Sequence, residues 1–478
     1  MSQNRDLRRL NRRDFVCVTT VAAGALASGS LLSACADDSL LVDPEAGLGD
    51  VLAKRPAVTR NPLKIPELMQ GTDLTVAPAV VDIGGEEMVE AWAYNGQFPG
   101  PTFERRRGES VGVEMVNGLQ DETIVHWHGM IVDRENDGHP QDVVESGEHY
   151  GYNFVVNQRA ALNWYHPHPD MLTGEQVNMG LAGAFIIRDD EEDALGLPSG
   201  KYEVPLIIRD ATIRGGRMTY RARKSGFFGK TPLVNGTRNP KLDVDPAVYR
   251  FRVLNGANAR HFNLSLSNGQ DFILIGNDGG LLPMSHNLGQ ILMSPGERID
   301  ILVDFRNLQE TSLMLHDLED GWDLLEFNVN SESNIGYAFP EITTSTITEL
   351  SEADVVQTRV FSFDGMSKIN GRVYGMERID EYVPKGQTEK WIFTTGGSAP
   401  HPVHVHAAPF KVLSRTGGRG EVFPWETGLK DTVLLEDGET VEVLIRFDEF
   451  AGLFLLHCHK LEHEDAGMMM NFEVVDPT

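Results

Sequence analysis

Cysteine is nearly absent from this 478-residue chain, which has only Cys17, Cys35 and Cys458. The first two fall within the N-terminal 35 residues. The body therefore keeps one thiol, and no structural disulfide can form in it, even in an oxidising compartment. A lone thiol in such a compartment is a liability unless a metal holds it. Positive charge is also scarce: 42 Lys and Arg face 70 Asp and Glu, for a net charge of −28. That balance excludes nucleic acid as a partner. An acidic surface suits cations or neutral organic molecules, and it also serves solubility. Aromatics are few at 8%, while the 48 glycines suit a turn-rich β protein. Otherwise the composition is that of a globular chain long enough for several cores.

The N-terminal residues read as an export segment and are set apart from the fold. Asn11-Arg12-Arg13-Asp14-Phe15 resembles a twin-arginine signal. Residues 16–32 then run without a charge, and 17 residues are marginal for a stable membrane span. The run ends in Leu32-Ser33-Ala34-Cys35, which resembles a lipobox whose cysteine is lipidated after cleavage. The expectation is export by the twin-arginine route to the periplasm or cell surface, with a membrane tether at lipidated Cys35. Residues 36–60 carry Asp, Pro, Ala and Gly with little periodicity. As flexible chain they span roughly 25–30 Å and read as that tether.

The body carries a weak internal repeat. Asn-Gly recurs at Asn95-Gly96, Asn235-Gly236 and Asn370-Gly371, and Gly-Glu at Gly147-Glu148, Gly296-Glu297 and Gly438-Glu439. A strand-like segment follows each Gly-Glu, at residues 150–154, 299–305 and 441–447. A histidine stands 19, 20 and 19 residues past the glycine, at His166, His316 and His457. Tyr249-Arg250-Phe251-Arg252-Val253 alternates with period two, and turn signals separate such runs. Each unit of about 140 residues therefore reads as one β-sandwich. The expected boundaries are a signal at 1–35, a tether at 36–60, and units at 61–195, 196–335 and 336–478. The charged run at 189–193 and the polar stretch at 328–334 read as linkers. The outer units give His166-Pro167-His168 and His457-Cys458-His459, whereas the middle one gives His316-Asp317-Leu318. The middle unit is therefore expected to be structural and free of metal.

Ten of the fifteen histidines fall in four clusters: His126-Trp127-His128, His166-Pro167-His168, residues 401–406 and residues 457–468. Residues 457–468 space Cys458, His463 and Met468 at even five-residue steps. Two His and a Cys with a weak axial Met form the ligand set of a blue electron-transfer copper. Side chains alternate faces along a strand. If Cys458 faces one metal, His457 and His459 face away from it, toward a second site. His401 is an odd number of residues from His404, so it can reach the metal of Cys458. Sorting by face leaves His401, Cys458, His463 and Met468 on one side and eight imidazoles on the other: His126, His128, His166, His168, His404, His406, His457 and His459. Copper heads the divalent affinity order for such ligands, although three histidines alone would also suit zinc. His139, His149, His261, His286 and His316 form no pattern, and Met469 and Met470 read as core.

The four motifs resemble those of the three-domain multicopper oxidases, a likeness that covers residues 60–478. Residues 457–470 (HCHKLEHEDAGMMM), Leu181-Ala182-Gly183 and residues 250–260 (RFRVLNGANAR) are similar to the bacterial laccase, cuprous oxidase and bilirubin oxidase branch. The resemblance implies an all-β chain of three consecutive cupredoxin-like Greek-key β-sandwich domains holding four copper ions. The type 1 copper lies in the third domain, and a trinuclear cluster lies between the first and third. His126 and His404 match the type 2 ligands, and His128, His166, His168, His406, His457 and His459 match those of the type 3 pair. Asp137 and Glu464 match the family's proton-handling carboxylates. The implied enzyme is a copper-dependent oxidoreductase. It couples one-electron oxidation of phenols or aromatic amines to four-electron reduction of O2 to water, with a small molecule or metal ion as donor, and works as a monomer.

A cuprous oxidase for copper tolerance is the nearest alternative, and bilirubin-type donors remain open. Cuprous oxidases carry a Met-rich insert and an Asp-Met-Met run before the first histidine of the third cluster. Here that run is Gly397-Ser398-Ala399-Pro400, and only Asp364, Met366 and Met376 offer a small metal site. A non-catalytic periplasmic scaffold or a copper store is disfavoured, because every ligand position is kept.

Overall fold

The computed structural model describes residues 58–342, 347, 349–397 and 399–477. The twin-arginine motif, Cys35 and most of the expected tether lie outside the described residues. Residues 59–478 cluster as one compact unit. Within it the described strands form six sheets. These pair around three apolar cores, drawn mainly from residues 69–187, 204–329 and 361–474. The strand Ser110–Asn117 shows how the sequence dictates this, since its residues alternate strictly between exposed and buried.

The recurring Asn-Gly pair is a hairpin turn in all three units. Asn95, Asn235 and Asn370 have φ of 51°, 47° and 53°, and the following glycines 69°, 68° and 72°. Two successive left-handed residues match the twist of flanking strands, which is why this dipeptide recurs.

The units exchange small elements. Asn61–Pro62 pairs in parallel with Pro240–Val244 and so joins the middle sandwich, although it precedes the first unit in sequence. The hairpin Ile213–Arg214 and Arg217–Met218 instead extends the sheet of the first unit. The charged run at 189–193, expected to be a solvated linker, carries the start of a short helix, Asp190–Ala194, with Glu192 buried. Glu192 accepts from Arg250 at 2.6 Å and also pairs with Arg252. Both arginines are buried on the strand Val248–Asn255, so its polar face is covered rather than solvated.

Two sheets position the functional side chains. In the first unit the order is Gly100–Arg106, Gly183–Arg188, Ala161–Pro167, Val125–His128. In the third it is Ile379–Pro384, Met469–Val475, Gly452–Cys458, His401–Val405, Thr432–Leu435.

Candidate metal centres

Register brings the histidine pairs together. Within the first unit His126 lies opposite His166, and within the third His404 lies opposite His457 and Val403 opposite Cys458. The strands from the two units meet ring on ring. Centroids are 3.9 Å apart for His126 and His406, and 3.7 Å for His128 and His404. His168 lies 5.0 Å from His457, and His459 lies 4.9 Å from His128. The eight imidazoles share one volume, each at most 1% exposed.

The ring nitrogens divide into fixed and unpartnered atoms. His126 Nδ1 meets the Asp137 carbonyl at 2.6 Å, His166 Nδ1 the Pro167 carbonyl at 2.9 Å, and His404 Nδ1 the Asp431 carbonyl at 2.8 Å. Each of these rings leaves Nε2 without a partner. His128 is turned the other way: Nε2 meets Asp431 Oδ1 at 3.1 Å and Thr432 Oγ1 at 3.2 Å, and Nδ1 is unpartnered. His406 Nδ1 donates to Asp137 Oδ2 at 2.8 Å, and His457 Nδ1 faces Glu464 Oε2 at 3.1 Å. Their Nε2 atoms converge at 3.1 Å, with His168 Nε2 3.3 Å from His457 Nε2. Buried polar atoms without partners are costly. Here they point at one another as lone pairs, and bound cations would satisfy them. Among the described residues, four groupings here place their donor atoms within 4.8 Å of one another: His126/His404/His406, His126/His128/His166, His168/His406/His457 and His128/His404/Asp431.

A second grouping lies on the opposite face of the strand Gly452–Cys458. Cys458 Sγ is 3.6 Å from His401 Nδ1 and 3.7 Å from His463 Nδ1, and those nitrogens are 3.2 Å apart. The Met468 carbonyl accepts from the Cys458 N–H at 3.0 Å, and both side chains are fully buried in the third core. Burial pushes the Cys458 thiol up to about 12, so only a bound cation would keep it a thiolate at neutral pH. Burial lowers His401 and His166 to about 3, His168 to about 4 and His463 to about 2. These rings are therefore neutral and able to coordinate.

Two buried carboxylates touch the eight-imidazole cluster. Burial raises Asp137 to about 8. Burial also acts to raise Glu464, but the His168 and His457 rings outweigh it and hold that carboxyl well below its usual range. A cavity of about 180 Å³ reaches His126 and His406 from the side of Gln158, Asn163 and Asp278. Of the smaller proposed group, Asp364 is taken up by Ser362 and the Gly371 N–H, and the Met376 sulfur by the Tyr374 hydroxyl.

Sequence reasoning missed a buried support around Asp431. Arg298 of the middle unit donates to its Oδ1 at 2.6 Å and its Oδ2 at 2.5 Å. The same guanidinium reaches the Leu162 carbonyl at 3.0 Å and Asn163 Oδ1 at 3.1 Å in the first unit, and the Asp278 carbonyl at 3.2 Å in the middle unit. Gly129 makes room for it, because a Cβ there would stand 2.5 Å from Arg298 Nη2 and 2.4 Å from Asn163 Oδ1. The available signal was the Gly296-Glu297 marker, which sits directly before Arg298. Nothing local marks Asp431.

Multicopper oxidase family profiles match residues 75–192 and 344–478. The chain is 32% identical to a laccase from Bacillus subtilis, over 81% of this chain and 90% of that one. It is 35% identical to a multicopper oxidase from Staphylococcus haemolyticus, over 80% and 83%. The solved structure of a laccase from Pediococcus acidilactici superposes with a TM-score of 0.82 at 31% identity, covering 88% of this chain and 95% of that one. The three cupredoxin-like sandwiches and the converging imidazoles fit the copper centres that such proteins use. The chain belongs to the multicopper oxidases, copper-dependent oxidoreductases that pass electrons from a small-molecule or metal-ion reductant to O2.

Proposed function

We propose that this protein is a laccase-like oxidase of phenols or aromatic amines. In this reading His401, Cys458, His463 and Met468 hold a type 1 copper, and His126 and His404 hold a type 2 copper. The type 3 pair is held by His128, His166, His168, His406, His457 and His459. One observation carries the assignment: Cys458 Sγ faces His401 and His463, while the rings of its two chain neighbours belong to the other cluster. The names of the Bacillus and Pediococcus relatives support the laccase-like class.

Copper bound at these positions would supply one-electron uptake from the donor and four-electron reduction of O2 to two waters. The protein supplies the rest. The Cys458 side chain and backbone form the shortest covalent bridge between the two groupings. The eight buried rings keep bulk water from the cluster. The cavity beside His126 and His406 is wide enough for O2 and water. Reduction of O2 consumes four protons. Asp137, raised to about 8 by burial, can hold a proton at Oδ1 while Oδ2 orients His406. Glu464 stays ionised and orients His457.

Replacing Asp137 with asparagine keeps the shape but removes the proton. The reoxidation of fully reduced enzyme by O2 should slow by about 100-fold, as for loss of one general acid, and stopped-flow spectrophotometry reads this directly. Met468→Leu should raise the type 1 potential by some tens of millivolts, since the axial ligand tunes such sites. A shift of ~59 mV corresponds to about 1.4 kcal/mol per electron. A potential that falls or stays fixed in a redox titration would contradict the axial assignment.

The export reading is part of the same proposal. The twin-arginine motif and the lipobox at Cys35 support an enzyme tethered outside the cytoplasmic membrane. Cys35→Ser should release the activity from the membrane fraction into the soluble one. The function itself is tested by oxygen uptake with a phenol, Cu(I) and bilirubin as donors to copper-loaded protein. No uptake with a phenol would overturn the laccase-like reading.

A further inference from the structure

The side of the thiolate site is covered by a segment of the middle unit, residues 219–230, which runs between the strands Arg217–Met218 and Thr231–Val234 without regular structure. Its anchors lie on the chain around His463. The Tyr220 hydroxyl meets Glu462 Oε1 at 3.2 Å. A Cβ on Gly226 would stand 3.4 Å from Lys460 Cδ, so the backbone lies directly on that side chain. The Lys224 backbone approaches the His463 ring, although Nε2 of that ring has no well-formed hydrogen bond.

The charge of this segment is opposite to that of the molecule. Arg221, Arg223, Lys224 and Lys230 are all exposed, within ten residues of a chain whose net charge is −28. None of the four forms an ion pair with a carboxylate among the described residues, whereas Arg217, just upstream, pairs with Glu90 at 2.8 Å. The segment also presents an aromatic face: Phe228 is 49% exposed, with the Arg260 guanidinium 5.4 Å from its ring centroid. Unpaired cations beside an exposed ring suit a ligand that is both anionic and aromatic. They repel a small metal cation. Of the acidic groups nearby, Glu462 is buried against Asn258 at 2.8 Å, Asp465 caps the N–H groups of Thr173 and Gly174, and Asp320 is taken up by Arg260, while Glu175 near Tyr220 is exposed.

We propose that residues 219–230 form the docking site for the electron donor, and that this donor is an anionic aromatic, a phenol carrying a carboxylate or sulfonate, rather than Cu(I). This rests on the laccase-like reading above and deepens it. Each donor gives up one electron and its phenolic proton and leaves as a phenoxyl radical with its carboxylate intact. Four donors and one O2 give four radicals and two waters. Arg221, Arg223 and Lys224 hold the anion, and Phe228 takes the ring.

The test uses the copper-loaded enzyme and a matched pair of donors, anionic syringate and neutral 2,6-dimethoxyphenol. In the variant Arg221→Ser/Arg223→Ser/Lys224→Ser, the ratio of kcat/KM for syringate to that for the neutral phenol should fall by about tenfold, because exposed charges contribute little singly but act together. Raising the salt should lower the same ratio in the parent enzyme. A second readout needs no turnover. By calorimetry, 3,4,5-trimethoxybenzoate, which has no phenolic hydroxyl to oxidise, should bind the parent and lose that binding in the variant. A ratio that stays constant in the variant, or trimethoxybenzoate binding that survives in it, would overturn the proposal. Should both phenols fail as donors, the laccase-like reading falls, and the calorimetric arm still decides whether this segment holds an aromatic anion.

Discussion

Serine in place of Cys458 should abolish turnover with every donor and remove the blue absorption at the same time. Cys458 is the only cysteine among the described residues, is fully buried and faces His401 and His463. Serine differs by one atom, so the strand Gly452–Cys458 and its ladder should survive. What is lost is a soft thiolate that binds copper strongly and carries electron density toward the backbone. His126, His128, His404 and His406 keep their hydrogen bonds to Asp137 and Asp431, none of which involves the Cys458 side chain. The variant should therefore still hold copper at the cluster, with electron input cut. Metal analysis, visible absorption and oxygen uptake on one preparation separate these effects. A serine variant that remained blue, or that consumed O2 at the parent rate, would remove Cys458 from the path.

The second large effect is expected far from any ligand. Arg298→Leu should destabilise the apoprotein by about 3–5 kcal/mol, the usual cost of breaking a buried charge pair from one side. Arg298 is fully buried and makes contacts in all three units. Its removal leaves Asp431 buried without its cation. Burial already raises that carboxyl, and Arg298 is the largest opposing influence. Asp431 orients His128 through Oδ1 and His404 through its carbonyl. The variant should therefore lose type 2 copper before type 1 copper. Thermal melts of the apoprotein and electron paramagnetic resonance of the loaded form report the two consequences separately. Arg298→Lys keeps a charge but loses the fork and should fall between parent and leucine variant.

The middle unit thus has a role that its missing ligands conceal. Period-two patterning and the triple repeat made three sandwiches legible, because strands and turns are written in local chemistry. The face sorting was legible for the same reason: alternation along a strand follows from backbone geometry, so Cys458 and its two neighbours had to divide between sites. Asp137 and Glu464 were readable only through family likeness, since their meaning lies in contacts to His406 and His457 made across the fold. Arg298 and Asp431 were not readable. They lie 133 residues apart, and nothing in either local sequence states that one will bury the other. The charged run at 189–193 misled for a related reason. Its acidic character is local, but the arginines that bury Glu192 arrive from residues 250 and 252.

The most direct measurement is a copper count on the fully loaded protein, combined with electron paramagnetic resonance. Four copper ions are expected, seen as one blue signal, one ordinary type 2 signal and a spin-silent pair. A single ion per chain would contradict the assignment. So would a spectrum in which Cys458 and the rings of His457 and His459 ligate the same copper.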